Sequence, residues 1–281
     1  MKKSTEVKKI AWIRRRGSKK ILIGAVLSGI VLLLVLTSLF YTPYDPDVGD
    51  IRSRLDPPSW KHPFGTDNLG RDVLSRVMSG GQISLTIAAC TLIGTVFLGI
   101  VCGLLAGYYE NVFDDVTNMI AEIRQSMPML LLIIVFLAIV GASIVSMVII
   151  LALSEWVTIF RTVRASTIGE KKMDYVTAAK ANGASNFRII FRYIMPNVLP
   201  SVIVLSTLMI STIILEESSL SYLGVGVTRP HPSWGRMISE GQSYMVTGEW
   251  WLSIFPALAI ALFVLGINLM ADGLRQMWKM E

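Results

Sequence analysis

The sequence predicts an all-α integral membrane protein with six transmembrane helices, and three observations carry that prediction. Of the 281 residues, 53% are hydrophobic, and the 22 glycines bring the apolar share to about 61%, against about 45–50% in soluble domains. Charged residues make up only 16% and the mean hydropathy is +0.58, too little charge for the surface a soluble core of this size needs. The basic residues, finally, fall on one side of the spans that the apolar runs define. The same numbers exclude a disordered chain and a disulfide-stapled secreted domain.

In chain order, residues 1–20 form a basic tail with nine Lys/Arg and one acid, Glu6. The charge-free run 21–41 is long enough to cross a hydrocarbon core of about 30 Å. Thr42-Pro43-Tyr44-Asp45-Pro46 follows it instead of a small-residue cleavage site, so the reading is an uncleaved first span. Residues 42–78 are polar and Pro-rich, a first external segment, and 79–281 form a five-helix core. The second span, Ile83 to Gly107, carries Gly99, Gly103 and Gly107 at four-residue spacing, a stripe that lets a neighbouring backbone approach. Cys90 and Cys102 in this run are about 18 Å apart along a helix, beyond disulfide reach.

A short acidic turn (Glu110, Asp114, Asp115) precedes the third span, about 119–140, where Pro128 is expected to kink or start the buried part. The fourth span, Ser143 to about Arg164, contains Glu155. A polar stretch, 165–196, is rich in helix formers and reads as a cytoplasmic loop. The fifth span runs from Asn197 to about Tyr222, an external loop covers 223–249, and the sixth span runs from Trp250 to about Asp272.

Six spans put both termini on one side. On that assumption 18 Lys/Arg are cytoplasmic and seven external, with Arg124 in a span, in accord with the positive-inside rule. The net charge of +6 therefore sets orientation and does not indicate nucleic acid. The turn after Gly107 is the exception, since it carries no base.

No G-x-x-x-x-G-K-[ST] occurs, so the chain has no phosphate cradle and no ATP-hydrolysing site of its own. His62 and His231, each before a proline, read as loop residues and make no metal site, and no Ser/His/Asp set can be assembled in the spans. The informative segment is Asp174 to Pro196. Asp174 to Ala181 reads as a helix ended by Asn182-Gly183. Ser185 and Asn186 can cap a second helix that Pro196 closes off. Ala178 and Ala179 keep one surface small, while Phe187, Ile190, Phe191 and Ile194 form an apolar stripe. That stripe either docks against a partner or packs on the protein's own helix ends, and spacing does not choose.

This segment resembles the E-A-A-x(3)-G-x(9)-I-x-L-P signature of the transmembrane subunits of binding-protein-dependent ABC importers. It reads Thr177-Ala178-Ala179, then Gly183, then Tyr193-Ile194-Met195-Pro196. Thr177 replaces the signature Glu and Met195 the Leu. Four further blocks narrow the resemblance to the dipeptide/oligopeptide/nickel branch, in its second, dipeptide-permease-C-like type. His62-Pro63-Phe64-Gly65-Thr66-Asp67-Asn68-Leu69-Gly70-Arg71-Asp72 is similar to H-P-x-G-T-D-x-x-G-R-D. Glu217 to Gly226 and Pro232-Ser233-Trp234-Gly235 are similar to later external blocks. Asn268 to Arg275 is similar to N-L-x-G-D-x-L-R-D, with Ala271 and Gln276 departing.

The resemblance implies a type I ABC importer permease fold with cytoplasmic coupling helices, in the inner membrane of a prokaryote. It implies a non-enzymatic subunit without a cofactor, ATP and Mg being bound by two partner ATPase subunits. A second, homologous permease chain would complete a heterodimer, and an extracytoplasmic binding protein would deliver a peptide-like solute. Coupling to the ATPase falls to Thr177, Ala178, Ala179, Gly183, Phe187 and Pro196. Nickel or a metal–chelator complex is the alternative cargo, since the same blocks serve it. A secondary transporter would show inverted repeats, and none is visible.

Intramembrane acids are functional candidates by default. Glu155 either pairs with Arg124 or Arg161 or lines the translocation cavity. Glu217 and Trp234 are further candidates for the path or outer gate, the latter in an amphipathic segment at the membrane surface. Gly65, Asp67, Gly70, Arg71 and Asp72 form a turn-rich external motif whose charges pair with each other or with partner subunits.

Overall fold

The computed structural model describes residues 2–226 and 231–278. Arg229 and Lys279, counted above on opposite sides, lie outside the described residues. The described chain is helical: α1 (Lys2–Thr37), α2 (Val73–Tyr109), α3 (Val112–Ser126), α4 (Met129–Val140), α5 (Ile144–Glu170), α6 (Asp174–Ala181), α7 (Asn186–Arg188), α8 (Met195–Tyr222), α9 (Trp234–Gln242) and α10 (Trp251–Trp278). A π-helical stretch, Ile189–Ile194, joins α7 to α8, and Ile51–Ser53 forms a 3-10 turn.

Among the described residues, five helical stretches are long and apolar enough to cross a bilayer: Gly17–Thr37, α2, α5, the continuous run Asn186–Tyr222, and Trp251–Met277. The expected third span is not one helix. α3 and α4 meet at a 95° bend, and they make a sixth span only if taken together. The cause is Pro128, which lacks an N–H and clashes with the carbonyl one turn earlier, so Met127 leaves α3 in an extended conformation.

Two boundaries also shift. α1 runs from the basic tail into the first span without a break and ends at Thr37, with residues 38–40 in a turn. α2 begins at Val73, not at Ile83, so the segment read as 42–78 ends six residues early, at Asp72. Asp72 explains this: its carboxylate accepts from Ser75 N at 2.8 Å and Ser75 Oγ at 2.7 Å, capping the first turn.

The chain forms two compact units, one of residues 1–89, 140–147 and 207–281, the other of 90–139 and 148–206. In the first, α1 packs along α10 through glycines at heptad spacing. A Cβ on Gly273 would lie 2.7 Å from the Gly17 carbonyl, one on Gly266 2.6 Å from Ser28 N, and one on Gly24 would overlap the Gly266 carbonyl. The two backbones thus meet with no side chain between them.

The second unit contains the glycine stripe of α2. A Cβ on Gly99 would sit 2.5 Å from Ile159 Cβ, one on Gly103 2.7 Å from Val163 Cβ, and one on Gly107 2.8 Å from Thr167 Cβ. The stripe is therefore the seam with α5. Beside it Trp156, Val157 and Phe160 of α5 bury against Ala106 and Ala121.

Candidate functional site

In the second unit α5 ends at Glu170, and after the turn 171–173 α6 runs from Asp174 to Ala181, the range the sequence predicts. Gly183 ends it with φ +76°, and Ala184 N returns to the Ala179 carbonyl at 3.1 Å, as in a left-handed C-cap. Ser185 caps α7, its Oγ accepting from Arg188 N at 3.4 Å. On α6 the alanines divide: Ala179 is buried with Val176, while Ala178 and Thr177 face out. The Thr177 hydroxyl bonds back to the Met173 carbonyl at 3.4 Å, so where the signature has a carboxylate this chain presents a neutral, self-satisfied side chain.

The apolar stripe that spacing treated as one face also divides. Ile190 and Ile194 are buried, whereas Phe187 is 71% and Phe191 45% exposed, their rings tilted against each other at 4.5 Å between centroids. Packing on the protein's own helices therefore accounts for the isoleucines, while the phenylalanines are left uncovered. The π-helix produces the division, because its wider turn rotates side chains away from a 3.6-residue register.

Pro196 corrects another expectation. It does not close the second helix, which runs on as one rod from Asn186 to Tyr222. Met195 N donates to the Ile190 carbonyl five residues back. That π-turn widens the backbone immediately before the proline ring, where an α-turn would bring a carbonyl into it.

Ties that the sequence did not reveal fasten this segment to α2 and α5. The Tyr108 hydroxyl donates to Asn186 Oδ1 at 2.8 Å. Lys171 Nζ lies 2.8 Å from Glu110 Oε1 and over the Tyr108 ring, and this ammonium holds the Glu110 carboxyl below its ordinary value. Asp114 takes both Nε and Nη2 of Arg164, at 2.5 and 2.6 Å. Two acids of the turn that lacked any base of its own, Glu110 and Asp114, are thus paired with bases in the last turns of α5 and just after it. Nearer the π-helix, Asn197 Nδ2 donates to Tyr175 Oη and to the Tyr193 carbonyl, both at 2.9 Å, and Tyr175 Oη bonds Glu170. Burial and that carboxylate push the Tyr175 phenol up.

Of the two candidate partners of Glu155, the structure selects Arg124, whose Nη2 is 3.3 Å from Oε1; the side chains stay 12% and 19% exposed. Arg161 points outward.

In the first unit Glu217 is fully buried. It accepts from Ser221 Oγ at 2.7 Å and from Ser84, Ser218 and Ser233, four hydroxyls with no base among them. Trp234 is likewise enclosed, its indole N–H donating to the Val77 carbonyl at 2.9 Å. α9 is therefore no freely lying surface helix, since its first residue is plugged into the start of α2.

The Gly-rich motif pairs internally. Asp67 accepts from Leu69 N and Arg71 N at 2.8 and 3.0 Å and from Arg71 Nε at 2.7 Å. Gly65 and Gly70 both have φ +73°, and a Cβ on Gly65 would meet the Trp251 indole at 2.8 Å. Asp72, besides capping α2, binds His62 Nδ1 at 2.9 Å, so His62 is a buried partner and no simple loop residue. Glu240 of α9 gathers Arg236 at 3.0 Å and Arg76 at 3.4 Å.

Among the described residues no group of three His, Cys, Asp or Glu is placed to hold a metal ion. The second unit instead offers a short, stiffly tied helical loop with an exposed aromatic pair, an arrangement suited to docking and to passing force into helices.

Residues 99–278 match the family described as binding-protein-dependent transport system inner membrane component. The chain is 32% identical to the oligopeptide transport system permease protein OppC of Bacillus subtilis, over 98% of this chain and 90% of that protein. It is 38% identical to the dipeptide transport system permease protein DppC of Alkalihalophilus pseudofirmus, over 86% and 77%. It is also 38% identical to the di/tripeptide transport system permease protein DppC of Pseudomonas aeruginosa, over 87% and 84%.

Proposed function

This chain belongs to the family of binding-protein-dependent transport system inner membrane components, and we propose that, paired with a second, homologous permease chain, it forms half of the translocation path for di- or oligopeptides. It is a multi-pass inner-membrane protein and a non-catalytic subunit in which no cofactor is expected. Transport of this kind implies ATPase subunits and a binding protein as partners. The names of the relatives support a peptide as cargo.

In this reading both termini are cytoplasmic, and so is the segment 165–196. Support comes from the ion pairs of Glu110 with Lys171 and Asp114 with Arg164, which join the residues after the second span to the end of the fourth and the turn that follows it, as six spans require. Ala178, Gly183 and Phe187 then face the ATPase, with Thr177 contributing shape instead of charge, while Ala179 and Pro196 hold the loop's form.

The single observation that carries this reading is the exposed Phe187–Phe191 pair on a helix turn tied to α2 through Tyr108–Asn186 and continuous with α8. Closure of the nucleotide sites would displace this turn, and the rod Asn186–Tyr222 would carry the displacement along its length, with the π-helix as the compliant point.

Gly183→Val tests the docking role. A β-branched residue at φ +76° is strained by about 1–3 kcal/mol, while the space around a Cβ there is open, so the defect stays local. The expected result in the reconstituted importer is a roughly tenfold or greater loss of substrate-stimulated ATP hydrolysis, at about 1.4 kcal/mol per decade, with chain abundance in the membrane unchanged. Full stimulation would refute the docking role.

For Glu155 we assign the path-lining role alongside the Arg124 pair, because the carboxylate stays partly accessible. Glu155→Gln should keep a hydrogen bond to Arg124 and lower peptide uptake about tenfold, as intramembrane charges at transport sites do. Uptake at the unaltered rate would reduce the pair to a purely structural one. Glu217 and Trp234 are assigned to the outer gate as its fixed support, holding α9 to α2 and α8.

A further inference from the structure

The segment between α1 and α2 presents a feature that the transport reading leaves unused. Trp60 is fully exposed, an unusual state for the residue type with the most apolar surface to hide. It does not hang on a loose loop. The Tyr44 hydroxyl donates to the Lys61 carbonyl at 3.0 Å, and the His62 ring lies 4.6 Å from Tyr44 while bonding Asp72. Phe64 stacks on Phe255 at 3.9 Å and 5°, and the Trp251 indole donates to the Thr66 carbonyl at 3.1 Å. On the other flank Leu55 is held at φ +58°, its N–H on the Asp67 carbonyl at 3.1 Å.

These ties fix the depth of Trp60. Phe255 and Trp251 lie in the first turns of the membrane-crossing α10, and Tyr44 follows closely on the end of α1. Trp60 adjoins the residue fastened to Tyr44 and is four residues from the one stacked inside α10, at most about 14 Å of chain. It is therefore held within that reach of the start of α10, where Phe255 also packs beside half-exposed Trp250 at 5.8 Å between ring centroids, and tryptophan and tyrosine belts lie at such helix ends. Arg52, Arg54 and Lys61 of the same segment are exposed and form no ion pair among the described residues, so these cations are open to phospholipid phosphates even though Asp50 and Asp56 beside them are exposed too.

We propose that Trp60, flanked by Arg52, Arg54 and Lys61, is an interfacial anchor that seats the α1–α2 segment in the headgroup region of the outer leaflet. The lipid face of α1 then continues onto this turn, and the His62–Asp72 and Phe64–Phe255 ties hold it at fixed height. The leaflet assignment rests on the orientation proposed above; contact with lipid does not.

The test uses the full importer in nanodiscs, labelled with 5-fluorotryptophan. The fluorine resonance lost in Trp60→Phe belongs to Trp60. A phospholipid spin-labelled near the top of its acyl chain should relax that resonance at least about twofold more than a soluble gadolinium chelate does, as for an interfacial tryptophan. In intact cells, Asp56→Cys should react with a membrane-impermeant maleimide above the wild-type background set by Cys90 and Cys102. Relaxation mainly by the soluble chelate overturns the anchor. So does relaxation by the chelate that only added binding protein suppresses, which would assign Trp60 to that partner. Lipid contact without labelling of Asp56→Cys overturns the outer-leaflet assignment and the orientation with it, while the anchor stands.

Discussion

Gly103→Leu should abolish stable assembly of the chain. A Cβ at this position would lie 2.7 Å from Val163 Cβ and 2.9 Å from the Phe160 carbonyl oxygen. One of these neighbours is backbone and neither is the flexible end of a side chain. Leucine adds three more carbons to a seam already in contact at Gly99 and Gly107, so α2 and α5 must part along its length. Overpacking of this kind costs about 1–3 kcal/mol and occasionally more, and the blocked carbonyl puts this case at or above the upper end. The measurement is the thermal midpoint of detergent-solubilised protein followed by size-exclusion chromatography. Gly103→Ala should show a smaller loss, part of which Val163→Ala should restore. A Gly103→Leu midpoint equal to that of the wild type would mean that the seam does not hold the unit together.

Asp114→Ala should be the second most damaging of the substitutions considered. It removes the partner of two of the three guanidinium nitrogens of Arg164, leaving a cation whose side chain is only 31% exposed. Breaking a buried pair from one side costs about 3–5 kcal/mol, and the remaining exposure lowers the expectation here to about 2–4 kcal/mol. The double variant Asp114→Leu/Arg164→Met should recover most of the loss, because the cost lies in the stranded charge and not in the missing attraction. Equal midpoints for the single and double variants would remove that explanation.

The two predictions differ in how far the sequence foreshadowed them. The Gly99–Gly103–Gly107 stripe was legible because four-residue spacing places small residues on one helix face whatever lies opposite. α6 and its Gly183 cap were legible for a similar local reason. The Asp114–Arg164 and Glu110–Lys171 pairs join residues 50 and 61 positions apart, and no periodicity links such partners. The absence of bases in the acidic turn was the available sign that its bases lay elsewhere. The start of α2 was also within reach, since Asp72 three residues before Ser75 is a capping arrangement. So were the glycines at 17 and 24 and at 266 and 273, whose common seven-residue spacing announces the two matched faces of one seam.

Other features depend on tertiary structure alone. Pro128 signalled a disturbance, but not a 95° turn. Phe187 and Ile190 belong to one apolar stripe in the sequence, and only the π-helix and its neighbours decide that the isoleucine is covered and the phenylalanine left out. For Glu155, spacing offered two arginines, and the path of α3 chose Arg124.

The glycine contacts between α1 and α10 impose an order on biogenesis. Ser28 and Met270, in touch across this seam, are 242 residues apart, which at about 5–20 residues per second is roughly 10–50 s of translation. Throughout that interval the glycine face of α1 lacks α10 to lie against and must be covered by lipid or by the insertion machinery. α1 is completed only by α10, and a ribosome that stalls before α10 leaves a membrane helix whose backbone lies bare on one side.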